Sequence, residues 1–218
     1  ASGKVVLFMV DIGTGTPNIT MIEASETAGT PPAGKNGLGN ILVVDRWSGS
    51  NRGRDGYADT VYAADQKGAM WKFDLRNTSA TVSTPLFTTQ TSTRNGLTYR
   101  QPITGGINAT NGDRGGVMLF FGTGSFVFNE DVRDDSIQSL YAVLDASDDV
   151  PGETMTAADL RPYTVSASGD VRTMTLGTVP ANARGWHVDL PAGERFVAYP
   201  ALASGAVSYT HLRAHETE

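Results

Sequence analysis

Residues 59–75 read DTVYAADQKGAMWKFDL, and the alternation in this stretch decides the fold class. Val61 to Ala64 form a first strand and Met70 to Leu75 a return strand, joined by Asp65-Gln66-Lys67-Gly68. Gly68 suits the left-handed position that closes a four-residue hairpin loop. Successive side chains of a strand point to opposite faces. Trp71, Phe73 and Leu75 therefore share one face, and Met70, Lys72 and Asp74 the other.

Composition extends this reading to the whole chain. Of 218 residues, 39% are hydrophobic and 18% charged, enough for a packed core. The 25 glycines and 10 prolines are spread along the chain and, with abundant Thr and Val, favour short strands joined by turns. The formal net charge of −6 argues against a nucleic-acid partner and is compatible with binding a cation. Without cysteine there is no disulfide, thiolate metal site or Cys nucleophile. No apolar run approaches the roughly 18 residues of a membrane span, so the chain is not expected to span a membrane. It begins without Met, almost inside a strand, and is expected to be a fragment of a longer protein.

Further strands are expected at Lys4 to Val10, Ile41 to Asp45 (short and buried), Thr81–Thr89, Tyr99–Ile103 and Gly116–Phe121. The last is broken by Gly122-Thr123-Gly124 and continued by Ser125–Phe128. Others are Gln138–Asp145, Tyr163–Val165, Val171–Leu176 and Gly185–Leu190, with one more beginning at Arg195–Ala201. Residues 24–40, 46–58 and 104–116 are Gly-containing loops, 76–80 a polar turn, and 129–137 an acidic loop. Thr156–Leu160 is the best helix candidate, at about one turn.

A closing Asp recurs at 11, 74 and 145, after FMV, WKF and AVL, with spacings of 63 and 71 residues. Repeated strand–turn–strand units with such an ending predict an all-β, quinoprotein-like β-propeller. The expected fragment is partial, about three blades of antiparallel strands over residues 1–206. The alternative is an unrelated β-sandwich in which the ending recurs by chance. Residues 207–218, VSYTHLRAHETE, lose the β pattern and resemble translated adapter read-through. They are expected to be a non-native tail, so His211 and His215 are set aside.

The stretch NRGRDGYAD (51–59) has oxygen donors at alternate positions of a tight loop, the arrangement that converges on a hard cation. Asn51, Asp55 and Asp59 fall at positions 1, 5 and 9, and the Tyr57 carbonyl at 7. Gly56 supplies the turn, whereas Gly53 stands where a carboxylate or amide is wanted. Tyr62 replaces the Glu of a helix–loop–helix calcium site, so this is not an EF-hand. Asp45 is a further donor if residues 46–50 bulge out. The candidate set for Ca²⁺ is thus Asp45, Asn51, Asp55, Tyr57 and Asp59. The alternative is a polar turn whose Asp side chains cap their own backbone.

DGYADTVYAADQKGAMWKFDL (55–75) resembles the propeller signature of the PilC/PilY family of type IV pilus biogenesis and tip adhesin proteins. GGVMLFFGTGSFVFNEDVRDDSIQSLYAVLDAS (115–147) and GWHVDLPAGERFVAYPAL (185–202) resemble two later family segments. The resemblance implies a C-terminal propeller domain exported to the outer membrane, cell surface or pilus tip of a Gram-negative bacterium. It implies partnership with pilins and minor pilins, roles in pilus assembly and in opposing retraction, and attachment to host or abiotic surfaces. It also implies a calcium loop, with Asp55 and Asp59 matching its last two carboxylates and Asn51 standing at its first position. Residue 53 lacks the second carboxylate, and residues 46–51 look like an insertion after Asp45.

A non-enzymatic assembly domain is expected, with Trp71, Phe73 and Tyr141 as packing aromatics. The competing reading is a quinone-dependent dehydrogenase, which shares the propeller and uses Ca²⁺. Only one blade ending carries Trp, and the cysteine pair often found beside that cofactor is missing. His187 has no evident Ser or Asp partner. GTGTP (13–17) and GTGS (122–125) lack the Gly-Lys-Ser/Thr ending of a phosphate loop. The pairs Asp134-Asp135 and Asp148-Asp149 are expected to be solvated, and three N-x-S/T triplets begin at Asn18, Asn77 and Asn108.

Overall fold

The computed structural model describes residues 5–213, apart from 14, 16–17, 26–32, 35, 49–50, 53, 80, 95, 147–151, 169–170, 205 and 211. The decisive hairpin forms as expected. Thr60–Asp65 pairs antiparallel with Ala69–Asp74, placing Val61 opposite Phe73 and Ala63 opposite Trp71. Gly68 has φ of 74°, and a Cβ there would lie 2.2 Å from Thr89 Oγ1 and 2.6 Å from the Gln101 carbonyl oxygen. Only glycine satisfies both conditions.

Asp65 caps the turn. Its Oδ1 accepts the N–H groups of Lys67 and Ala69, each at 2.9 Å, and its Oδ2 accepts the Trp71 indole N–H at 2.9 Å. Burial pushes the Asp65 carboxyl up, against the hydrogen bonds that lower it.

Leu38–Val44, Thr60–Asp65, Ala69–Asp74 and Phe87–Thr88 form a four-stranded antiparallel sheet in chain order. A second antiparallel run joins Asn108–Asn111, Val117–Gly122, Ser139–Asp145 and Gly185–Asp189. Against the expectation of antiparallel pairing throughout, Arg161–Ser168 joins this run parallel to Gly185–Asp189 and carries Val171–Leu176 at the edge. The chain returns over 185–189 after inserting that hairpin, so the two strands enter the sheet in the same direction. Val5–Asp11 and Asn18–Ala24 form a separate hairpin.

These units stack in three layers. Trp71, Phe73 and Leu75 pack with Val5, Leu7 and Ile22 of the first hairpin. Met70 on the other face joins Tyr62, Phe87, Leu119, Phe121 and Tyr141, bridging the two sheets. Phe87 meets Tyr141 edge-on at 5.2 Å between centroids, and Phe121 stacks on Tyr141 at 5.3 Å. Covered on both sides, Thr60–Asp65 and Ser139–Asp145 are buried along their whole length. Against the expectation of blades ending near Asp74 and Asp145, each of these residues closes the third strand of its run, which continues to Phe87–Thr88 and to Gly185–Asp189.

Local departures have local causes. Leu38–Val44 is an edge strand rather than a buried one: Leu42 and Val44 pack inward while Ile41 and Val43 are 46% and 50% exposed. Ser125–Phe128 does not continue the Val117–Gly122 strand. Asp131 Oδ2 accepts both the Ser125 hydroxyl and the Phe128 N–H, curling the segment into the 3₁₀ turn Asn129–Arg133. Asn108–Asn111, placed in a loop from its polar composition, is a half-exposed edge strand. The helix candidate is a single 3₁₀ turn, Ala157–Asp159, capped by Thr156. Pro85 offers no N–H, and Thr81–Thr89 reduces to a bridge at Val82 and the strand Phe87–Thr88. Arg195–Ala201 splits into Glu194–Arg195 and Ala201–Ala203, because Phe196 leaves the ladder for the core. Strand pairing continues into the stretch expected to lose it: Ala206–Ser208 pairs with Ala201–Ala203 and Leu212–Arg213 with Glu194–Arg195, while His211 and His215 lie outside the described residues. No helix among the described residues is long and apolar enough to cross a membrane.

Candidate functional site

The candidate cation loop leaves the Leu38–Val44 edge strand and returns at Thr60. Trp47–Ser48 and Asn51–Arg52 pair as a miniature hairpin, a bulge between Arg46 and the turn at Gly56. The bulge brings Asp45 back against the turn beyond it. Asp45 Oδ1 accepts the Asp55 N–H at 3.2 Å and Oδ2 the Gly56 N–H at 2.8 Å. Asp55 Oδ1 accepts the Tyr57 N–H at 3.0 Å, and Gly56 adopts φ of 93°. Asp45, Asp55 and the Tyr57 backbone thus share one turn, with Tyr57 itself largely exposed.

Asp59 is oriented differently. It is buried, its Oδ2 accepts the Arg46 N–H at 2.9 Å, and its Oδ1 accepts the Thr60 hydroxyl at 2.7 Å. The backbone of Asn51 lies in the miniature hairpin, whereas its side chain and residue 53 fall outside the described part. Among the described residues no group of three or more His, Cys, Asp or Glu side chains converges as a metal site. The carboxylates of Asp45 and Asp55 meet at this glycine turn as acceptors of backbone N–H groups, the arrangement of the polar-turn alternative. Their chemistry suits calcium and not a soft metal. Asp45 and Asp55 fit such an ion, while Asp59 acts as a cap that fixes where the loop rejoins the sheet.

Between Asp45 and the bulge sits Arg46, a residue the sequence reading passed over. Its guanidinium is buried and donates to Asp145 Oδ2, to the Tyr62 hydroxyl at 3.0 Å and to the Asp145 and Ala146 carbonyls at 3.1 and 3.3 Å. Lys72 Nζ lies 2.8 Å from the same carboxylate. The base of the loop is therefore pinned across the junction to the second sheet. Burial, with the neighbouring Asp145 charge, drives the Tyr62 hydroxyl far above its ordinary value. The closing Asp repeat hinted at this, but its members diverge in role. Asp145 is the buried pin, Asp74 forms an exposed pair with Arg76, and Asp11 caps the Gly13 N–H.

His187 gains the partner that the sequence reading did not see. Its Nδ1 is 3.2 Å from Asp189 Oδ1 and 3.2 Å from Gln90 Nε2, and the Ser139 hydroxyl donates to Asp189 at 2.7 Å. Residues 187 and 189 alternate to the same face of one strand, which was the available signal. The serine binds the carboxylate rather than the imidazole and is wholly buried, so the trio braces the strands. Burial works to raise the Asp189 carboxyl, but the bonds from His187 and Ser139 and the His187 charge outweigh it and hold it low.

The sequence model of the family described as the PilY1 beta-propeller domain matches residues 1–166. The chain belongs to this PilY1 propeller family. A type IV pilus biogenesis factor PilY1 homolog of Xylella fastidiosa is 32% identical over 234 residues, covering 96% of the chain and 15% of that protein. The type IV pilus biogenesis factor PilY1 of Pseudomonas aeruginosa is 26% identical over 193 residues, covering 77% of the chain and 16% of that protein. The chain thus spans about one-sixth of the curated relatives' length. The crystal structure of the Pseudomonas aeruginosa PilY1 C-terminal domain superposes with a TM-score of 0.66 at 19% identity, over 95% of the chain and 50% of that domain. This likeness shows the propeller fold and excludes the sandwich alternative. In the PilY1 propeller frame, Trp71, Phe73 and Tyr141 are buried blade residues, and the Trp71 N–H is already taken by Asp65.

Proposed function

We propose that the chain is a non-enzymatic, surface-displayed propeller domain of a type IV pilus assembly and adhesion protein. Its partners are pilins or minor pilins and, for attachment, a host or abiotic surface. Its place is the outer membrane or pilus tip, where it supports assembly and opposes retraction. The observation that carries the reading is the family match over residues 1–166, joined to a rigid scaffold with long exposed loops. The test is complementation: the full-length protein carrying this domain should restore surface pili to a type IV-piliated bacterium lacking its homologue. Unrestored piliation, with the protein present at the cell surface, sinks the reading.

The same proposal includes calcium modulation through the 45–59 loop. Asp45, Asp55 and the Tyr57 carbonyl would hold the ion with Asn51, while Asp59, which caps the Arg46 N–H and accepts the Thr60 hydroxyl, stands apart from the set. Support comes from the two carboxylates, Asp45 and Asp55, that meet at the Gly56 turn. Extracellular calcium modules bind on the order of 10⁻⁴–10⁻³ M. Titration calorimetry on the chain should give heat in that range, lost in Asp55→Ala, whose exposed side chain leaves the fold intact. No heat at millimolar Ca²⁺ overturns the calcium reading and leaves the family membership standing.

A further inference from the structure

At the opposite end of the sheets from the cation loop lies a cavity of about 580 Å³. The six-residue Thr60–Asp65 strand, roughly 20 Å of extended chain, separates the two. The cavity opens beyond the Asp65–Gly68 turn, between Tyr99 and Arg100 of one hairpin and an acidic segment made of Asp131 in the 3₁₀ turn and Asp134 and Asp135 just after it. Its size is that of a ligand pocket, not of a packing defect.

Its walls are fixed. Arg195, buried and lying 4.6 Å from the Phe126 ring centroid, donates to the Ser125, Asp131 and Asp134 carbonyls and so clamps the acidic segment from below. Gln101, also in the wall, donates to the Ile137 carbonyl and the Ser139 hydroxyl at 2.9 and 2.8 Å. A guest would meet a preformed site and not a loop that must first be ordered.

Charge and hydrogen bonding then define the guest. Three carboxylates face a single guanidinium among the lining residues, so an anion is disfavoured. The carboxylates do not converge on a point as a metal site requires. Tyr99 and Phe128 contribute aromatic rings beside them, the surface over which an organic cation is stabilised. Gln138, another lining residue, is 3% exposed, and its side-chain oxygen has no hydrogen-bond partner while its nitrogen donates to Ser136. An ammonium or guanidinium can donate to that oxygen, and a carbonyl or anion cannot.

We infer that this cavity is a docking pocket for a lysine or arginine side chain presented by a partner protein. It is separate from the calcium loop and does not depend on it. A doubly blocked Gly-Lys-Gly peptide, titrated into the full chain at low salt and followed by NMR shifts, should perturb Tyr99, Gln138 and Asp135 together. Asp135→Asn should weaken binding roughly two- to fivefold, the range of one exposed ion pair, and Asp134→Asn with Asp135→Asn roughly tenfold. Asp113→Asn, at a turn on the other end of its sheet, should change nothing and controls for net charge. The inference is overturned if a doubly blocked Gly-norleucine-Gly peptide binds as well as the lysine one, or if Asp113→Asn weakens binding as much as Asp135→Asn.

Discussion

Asp189 shows how one buried carboxylate makes the fold sensitive to acid. Its pKa is held below the usual range in the folded chain by His187 and Ser139, although burial opposes this. Its stabilising contribution is therefore complete above the unfolded value of about 3.9 and is lost as pH falls through the lower folded value. Denaturant midpoints measured from pH 6 downward should drop below about pH 4, and Asp189→Asn should flatten that limb. An unchanged limb removes the residue from the account. Asp65 has the opposite shift, because burial dominates its hydrogen bonds. Its position in the turn was legible in the sequence, but its bond to Trp71 was not. Residues 65 and 71 sit at opposite ends of the turn, and only the closed hairpin brings them together.

The next scale is that of the sheets, where Arg46 and Asp145 do the joining. They are 99 residues apart and belong to different blades. Removing Asp145 takes the shared carboxylate from both the buried Arg46 and Lys72, so Asp145→Ala should cost about 3–5 kcal/mol. Replacing Arg46 and Asp145 together by Met and Leu should cost far less, since apolar residues of similar volume often substitute for a buried pair. Equal losses in the single and double variants, measured by chemical denaturation, would refute the pairing argument. The alternation over 59–75 revealed both faces of the hairpin correctly. It did not reveal that Leu38–Val44 is half-exposed, because edge position depends on which strand lies beyond it.

The whole molecule presents one apolar face with nothing packed against it among the described residues. On the first hairpin Phe8 lies opposite Met21 and Val10 opposite Ile19, and these four are 53–62% exposed. The same hairpin buries Val5, Leu7 and Ile22 on its other side against Trp71 and Phe73. An exposed patch of this kind drives association. The chain in isolation should therefore elute above its monomer mass in light-scattering chromatography. The double substitution Phe8→Lys and Met21→Glu should shift it toward monomer. A monomeric parent chain would show that the face is harmless.

Local information determined most of the architecture. Strand alternation, glycine turns and the recurring Asp each act within a few residues, so the hairpins and the propeller class could be read directly. The candidate cation loop was legible as a set of oxygen donors for the same reason. What only the tertiary structure decided is how distant groups meet. Asp45 reaches Asp55 because the bulge folds out, and Asp59 turns away because Arg46 needs its carboxylate. The acidic segment 129–137 read as a solvated loop, yet Arg195 draws its carbonyls together into the wall of a cavity. Such contacts form across 60 residues or more of chain, and no local spacing encodes them, because they depend on the packing of one blade against the next.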